Sequence, residues 1–173
     1  RDDRATGLAD LRAAVLSSSD QALPDAIDVL LAQPAPAVAD FEALLATAPA
    51  DLRRRCVTSL AVHSPGPARL LLEPLLVPGG EARDVAWAAS LDARLGRLEL
   101  ACERWLAAVR SHPEPGDVLR GAVRELARRP DLAEELLTGA TVARPDAAEV
   151  WRELGRFLLA HRRPAEARAA LER

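Results

Sequence analysis

The chain has 173 residues, 49% hydrophobic and 3% aromatic, with a formal net charge of −3 and a pI near 5.7. That length suffices for one compact domain or one short elongated array. The acidic balance argues against a nucleic-acid-binding surface, which needs a basic surplus to neutralise phosphates. Alanine and leucine exceed a third of the residues, whereas tyrosine and methionine are absent, so helix formers dominate over strand formers and the expected class is all-α.

Lysine and asparagine are missing and Ile27 is the only isoleucine, the bias of a high-G+C bacterial genome, which makes arginine the one long cation. Leu70–Val77, an apolar run, is broken by Glu73-Pro74, so nothing approaches the ~18 residues of a membrane span. The first residues lack both a signal-like apolar stretch and a methionine, which leads us to expect a piece of a larger protein. Cys56 and Cys102 lie in separate helical stretches and read as buried small apolar residues. Unpaired cysteines favour the cytoplasm, with the periplasm also compatible.

In chain order, an extra helix is expected at about residues 5–18, ending at Ser17–Ser19, which lead into the next helix. From there proline and glycine punctuate the chain: Pro34 and Pro36, Pro49, Pro65-Gly66-Pro67, Pro78-Gly79-Gly80, Pro113 to Gly116, Pro130, Pro145 and Pro164. The stretches between them have helical periodicity and are too short to hide an apolar face alone. A large residue followed 16 positions later by alanine recurs at Leu23/Ala39, Leu52/Ala68, Val85/Ala101 and Trp151/Ala167. Leu119/Ala133 is shortened to 14, which we attribute to a tighter turn, and successive anchors are 29, 33, 34 and 32 residues apart. The spacing therefore predicts one helical-repeat domain over 1–173, with an N-terminal helix followed by five antiparallel hairpins.

The last hairpin, with Trp151, Leu154-Gly155, Leu158, Ala167 and Leu171, resembles a tetratricopeptide repeat. Pro145 and Pro113 match that family's helix-ending proline. The third hairpin keeps Ala101, Trp105 and Ala108, and the fourth keeps Ala133, Leu137 and Ala140. Arg55 and Asp92 depart from the pattern, standing where it has apolar residues. The resemblance is specific for about 81–173 and weak for 20–77, where degenerate or HEAT-like hairpins fit as well. Gly155 and Ala167 are small enough for two helices to approach closely, with Trp151 filling the wedge beside them. The resemblance implies an α-solenoid whose concave face binds a partner.

No zinc, P-loop, paired C-x-x-C or nucleophile-elbow motif is present, so no catalytic residue, metal or cofactor is expected. His63, His112 and His161 sit at predicted helix ends, where a cation meets the negative end of the helix dipole. A Cys56–His63 dyad fails on reach, since seven residues rise about 10.5 Å along a helix. Gly79-Gly80 reads as a turn and Glu134-Glu135 as a solvated edge. Arg120 and Arg124, then Arg152 and Arg156, stand one turn apart after the anchors Leu119 and Trp151, and Arg128 extends the stripe. By the resemblance these positions line the partner-binding groove, and guanidinium forks suit carboxylates; an ordinary solvated face is the bland alternative.

The leading expectation is a non-catalytic scaffold that binds a protein or peptide, acidic in character. Self-association through the array's ends is an alternative, because the chain stops at Arg173 within a helix without a polar cap. Another is a ligand-sensing domain with a closed apolar pocket near Trp87 and Trp105.

Overall fold

The computed structural model describes Ala13 and residues 49–61, 65–77 and 80–173. The hairpin at Leu23/Ala39, Ser17–Ser19, His63, Gly79 and, apart from a helical Ala13, the extra N-terminal helix lie outside the described residues. Among the described residues there are eight α-helices, a 3₁₀ turn and no strand. The chain divides into two compact units, Arg1–Val77 and Pro78–Arg173.

In the first unit, α1 (Ala50–Leu60) packs against α2 (Pro65–Leu72), which runs on into a 3₁₀ turn at Glu73–Leu75. Leu52, Cys56, Val57 and Leu60 of α1 are buried, as are Ala68, Leu71 and Leu72 of α2. The spacing of three and four residues within α1 places its apolar side chains on one stripe.

The second unit contains α3 (Ala82–Arg94), α4 (Leu98–Ser111), α5 (Pro115–Glu125), α6 (Pro130–Ala143), α7 (Ala148–Ala160) and α8 (Pro164–Leu171). None of these helices has a side-chain N-cap; proline instead opens α5, α6 and α8, where its missing N–H is unneeded and its fixed φ suits the first turn. Gly96 at φ +78° ends α3 in a reversed turn, with the Arg97 N–H on the Asp92 carbonyl at 2.9 Å and the Gly96 N–H on Ala93 at 3.0 Å. This is the Schellman pattern. It recurs at the end of α7, where Arg162 adopts φ 60° and the Arg163 N–H reaches the Leu158 carbonyl at 3.0 Å.

The closest helix pairs are α3 with α4 and α7 with α8, and each successive pair leans on the next: α4 touches α5 and α6, while α7 touches α5 and α6. The result is an all-helical, repeat-like arrangement. Its core centres on Trp105, 1% exposed, beside Ala101, Ala108, Ala133, Leu137 and Ala140. Alanines at these crossings let helix backbones approach, and burying the one indole supplies a large apolar area. A smaller cluster of Leu158, Ala167 and Ala170 joins α7 to α8.

Three expectations change. The shortened spacing at Leu119/Ala133 does not come from a tighter turn: α5 ends early, at Glu125, four residues separate it from α6, and these two helices pack together only weakly. Trp151 is half-buried rather than enclosed, roofing the Leu158 cluster while its Nε1–H donates to the Pro145 carbonyl at 2.9 Å. Asp92, off-pattern for a repeat, is wholly buried, and its carboxylate is held by Arg104 and, at 3.6 Å, by Arg97.

Candidate functional site

Because α5 and α6 splay apart, a cleft of about 460 Å³ opens between α5, the start of α6 and α7. Its floor is apolar, built by Leu126, Ala133 and Phe157, which are 1%, 1% and 7% exposed. Val123, Ala127 and Ala160 extend that surface. Arg120, Arg124 and Arg156 bring three guanidiniums to its wall, together with Glu153.

Glu153 organises the wall. Its side chain is 7% exposed, and one carboxylate oxygen accepts from Arg120 Nη1 at 2.7 Å and from Arg156 Nη1 at 2.9 Å. Arg120 also closes its second Nη on Asp117, one turn earlier on α5. Arg124 is exposed and has no ion-pair partner among the described residues. A carboxylate this buried is tolerated because two cations meet it; unpaired, its desolvation would be costly. At the mouth, His161 packs on the Phe157 ring with centroids 4.1 Å apart, and its Nδ1 lies 2.8 Å from the Phe157 carbonyl.

Of the five arginines singled out in the sequence, the cleft gathers Arg120, Arg124 and Arg156; Arg128 and Arg152 are exposed and line none of it. The displacement of Arg152 has a geometric cause. Contacts between α5 and α7 run at an interval of 33 residues, with the Gly116 N–H on the Glu149 carboxylate at 3.3 Å and Arg120 on Glu153. Pairing Arg120 with Arg152 assumed 32. One residue turns a helix by about 100°, so Glu153 takes the position facing Arg120 and Arg152 points elsewhere. Glu153 and Phe157 were therefore missed, although each lies 33 residues beyond a singled-out arginine, Arg120 and Arg124.

The histidines divide. His161 lies against the end of α7, its Nδ1 beside the single carbonyl of Phe157, whereas the Nδ1 of His112 accepts the Glu114 N–H at 3.1 Å. His112 thereby organises the turn that follows α4. The end of α4 is served instead by Arg144, whose Nη1 reaches the Val109 and His112 carbonyls at 3.2 and 3.4 Å. Glu134, its side chain 39% exposed, accepts from Arg163 Nη1 at 2.6 Å between the last two hairpins, and Glu135 is exposed.

Cys56 is buried, and desolvation pushes its thiol up to about 11 despite the opposing charge of Arg55. Cys102 is half-buried beside a cleft of about 200 Å³ that includes Glu99, Glu103 and Glu135. Its thiol is also raised, first by burial and then by Glu135 and Glu99. Among the described residues no group of three or more His, Cys, Asp or Glu could hold a metal ion, and no helix is long and apolar enough to cross a membrane. Neither Trp87 nor Trp105 lines the large cleft.

No family model, curated protein or solved structure matches this chain.

Proposed function

We propose that the chain is a non-catalytic helical-repeat scaffold of the tetratricopeptide kind, which binds a segment of a partner protein in the cleft between α5, α6 and α7. The observation that carries this reading is the joining, in one cleft of about 460 Å³, of an apolar floor with three guanidiniums, of which Arg124 has no ion-pair partner among the described residues. A cleft of this size suits a few side chains, and convergent polar groups around an apolar floor give such a site its orientation and specificity. The repeat assignment draws support from the 33-residue interval of the Gly116–Glu149 and Arg120–Glu153 contacts, from the twice-used Schellman turn, and from the burial of Ala101, Ala133 and Ala167 at 0%, 1% and 0%.

The test is selection of a random peptide display library on the immobilised chain. Enriched peptides should bind in solution, and an Arg124→Glu/Arg156→Glu variant should lose them by at least about tenfold through charge reversal at the wall. The Arg128→Glu/Arg152→Glu variant, altered outside the cleft, should keep them. An unenriched library, or equal loss in both variants, would remove the assignment.

A further inference from the structure

We infer that the cleft selects a peptide segment bearing a single carboxylate beside a bulky apolar side chain, and that Glu153 sets this limit. The inference rests on the binding reading above and specifies its ligand.

The charge around the cleft is uneven. Three guanidiniums, those of Arg120, Arg124 and Arg156, face two carboxylates, those of Asp117 and Glu153. Among the described residues one of these positive charges is left without an ion-pair partner. It is also localised: Arg120 spends both Nη atoms on Asp117 and Glu153, and Arg156 gives Nη1 to Glu153. Arg124 alone keeps its whole fork open, and that fork can grip one carboxylate through two parallel N–H donors.

A second acidic group on the ligand would meet Glu153. That carboxylate is 7% exposed, so water and salt screen its repulsion poorly. Glu153 thus removes from recognition the two arginines that would otherwise favour a polyacidic segment. Below the charge lies the floor of Leu126, Ala133 and Phe157, which gains only if an apolar side chain covers it. The lining also favours a chain over a free small acid. Arg124, Ala127, Pro130 and Ala160 are all exposed, so the cleft is open at its edge and a backbone can leave it, whereas small-molecule sites enclose most of their ligand.

The experiment uses three fluorescein-labelled peptides capped at both ends: one glutamate between two leucines, the same with glutamine, and a run of three glutamates between the leucines. Anisotropy titration of the full chain should rank the single-glutamate peptide at least about tenfold above the glutamine peptide, the span of one charge-assisted hydrogen-bonded pair. The triple-glutamate peptide should gain nothing over the single one. Glu153→Gln should reverse that last order, raising the triple-glutamate peptide about tenfold. Arg124→Gln, at an exposed residue whose loss leaves packing intact, should abolish the preference for glutamate over glutamine, and it tests the inference even where Glu153→Gln unfolds the chain.

A wild-type preference for the triple-glutamate peptide, or an unchanged order in a folded Glu153→Gln variant, overturns the inference and leaves the binding reading standing. Peptides bound without regard to charge do the same. If no peptide binds at any charge, both fall.

Discussion

Gly155 on α7 lies so close to Leu171 at the end of α8 that a Cβ placed on the glycine would sit 2.6 Å from the leucine Cγ. Glycine inside a helix is about 1 kcal/mol worse than alanine in propensity, so the close approach is what justifies it. Leu171 is 49% exposed and can swing away, which limits the penalty of a methyl group to lost contact. Gly155→Ala should therefore destabilise the chain by about 1 kcal/mol, while in a Leu171→Ala background the same change should stabilise it by about 1 kcal/mol. Urea unfolding of the four proteins reads the sign change; a substitution with the same sign in both backgrounds would show that Leu171 is not the obstacle.

Asp92 on α3 and Arg104 on α4 form the polar crossing of their hairpin, with the carboxylate 0% exposed and the guanidinium 23% exposed. Arg104→Met withdraws the nearer cation from a carboxylate without access to water, and the cost should be about 3 kcal/mol, since Arg97 at 3.6 Å still helps. Replacing both, as Asp92→Leu with Arg104→Met, should return stability to within about 1 kcal/mol of the parent, because a well-packed apolar pair replaces the buried ion pair. The comparison is again urea unfolding. A double variant as unstable as the single one would mean that Asp92 holds its neighbours in some way other than through Arg104.

Much of this arrangement is legible in the sequence because packing small residues at helix crossings leaves a periodic trace. The spacing of Ala101, Ala133 and Ala167 behind their anchors anticipates three buried alanines, whereas the burial of Trp105 beside them is seen only in the structure. The site is less legible. Three of its arginines stand out by type, but Glu153 does not, because a glutamate on a helix reads as solvated until the interval between α5 and α7 is known to be 33 rather than 32. The cleft itself arises where α5 and α6 part, a consequence of α5 stopping at Glu125 that no residue between Leu126 and Arg129 announces. Nor does periodicity reveal that Asp92 can be buried: its partner Arg104 is twelve residues away on another helix.

Arg144 supports α4 from outside, its Nη1 reaching the carbonyls of Val109 and His112. The last carbonyls of a helix have no partner within it, and a cation there also meets the negative end of the dipole. Arg144→Met should cost about 1 kcal/mol, and amide hydrogen exchange in the last turn of α4 should accelerate more than exchange in α3. Uniform acceleration across both helices would instead indicate a general loss of stability.

The alkaline limb of the stability profile should belong to the cysteines. The chain has no tyrosine and no lysine, so between about pH 9 and pH 11 no other side-chain type in it ordinarily titrates. Burial raises the Cys56 thiol from 9.0 to about 11 in the folded chain. A thiol that stays protonated when folded but ionises once exposed favours the unfolded state as pH climbs. Its contribution is fully present below about pH 9 and drains away as pH approaches about 11. Urea midpoints measured across that window should fall, and Cys56→Ala should flatten the fall while lowering the neutral-pH value through the small cavity it leaves. Alkylation supplies a second readout, since the half-buried Cys102 should react first and the fully buried Cys56 only as the chain opens. A slope untouched by Cys56→Ala, or labelling in the reverse order, would contradict the burial assigned to Cys56.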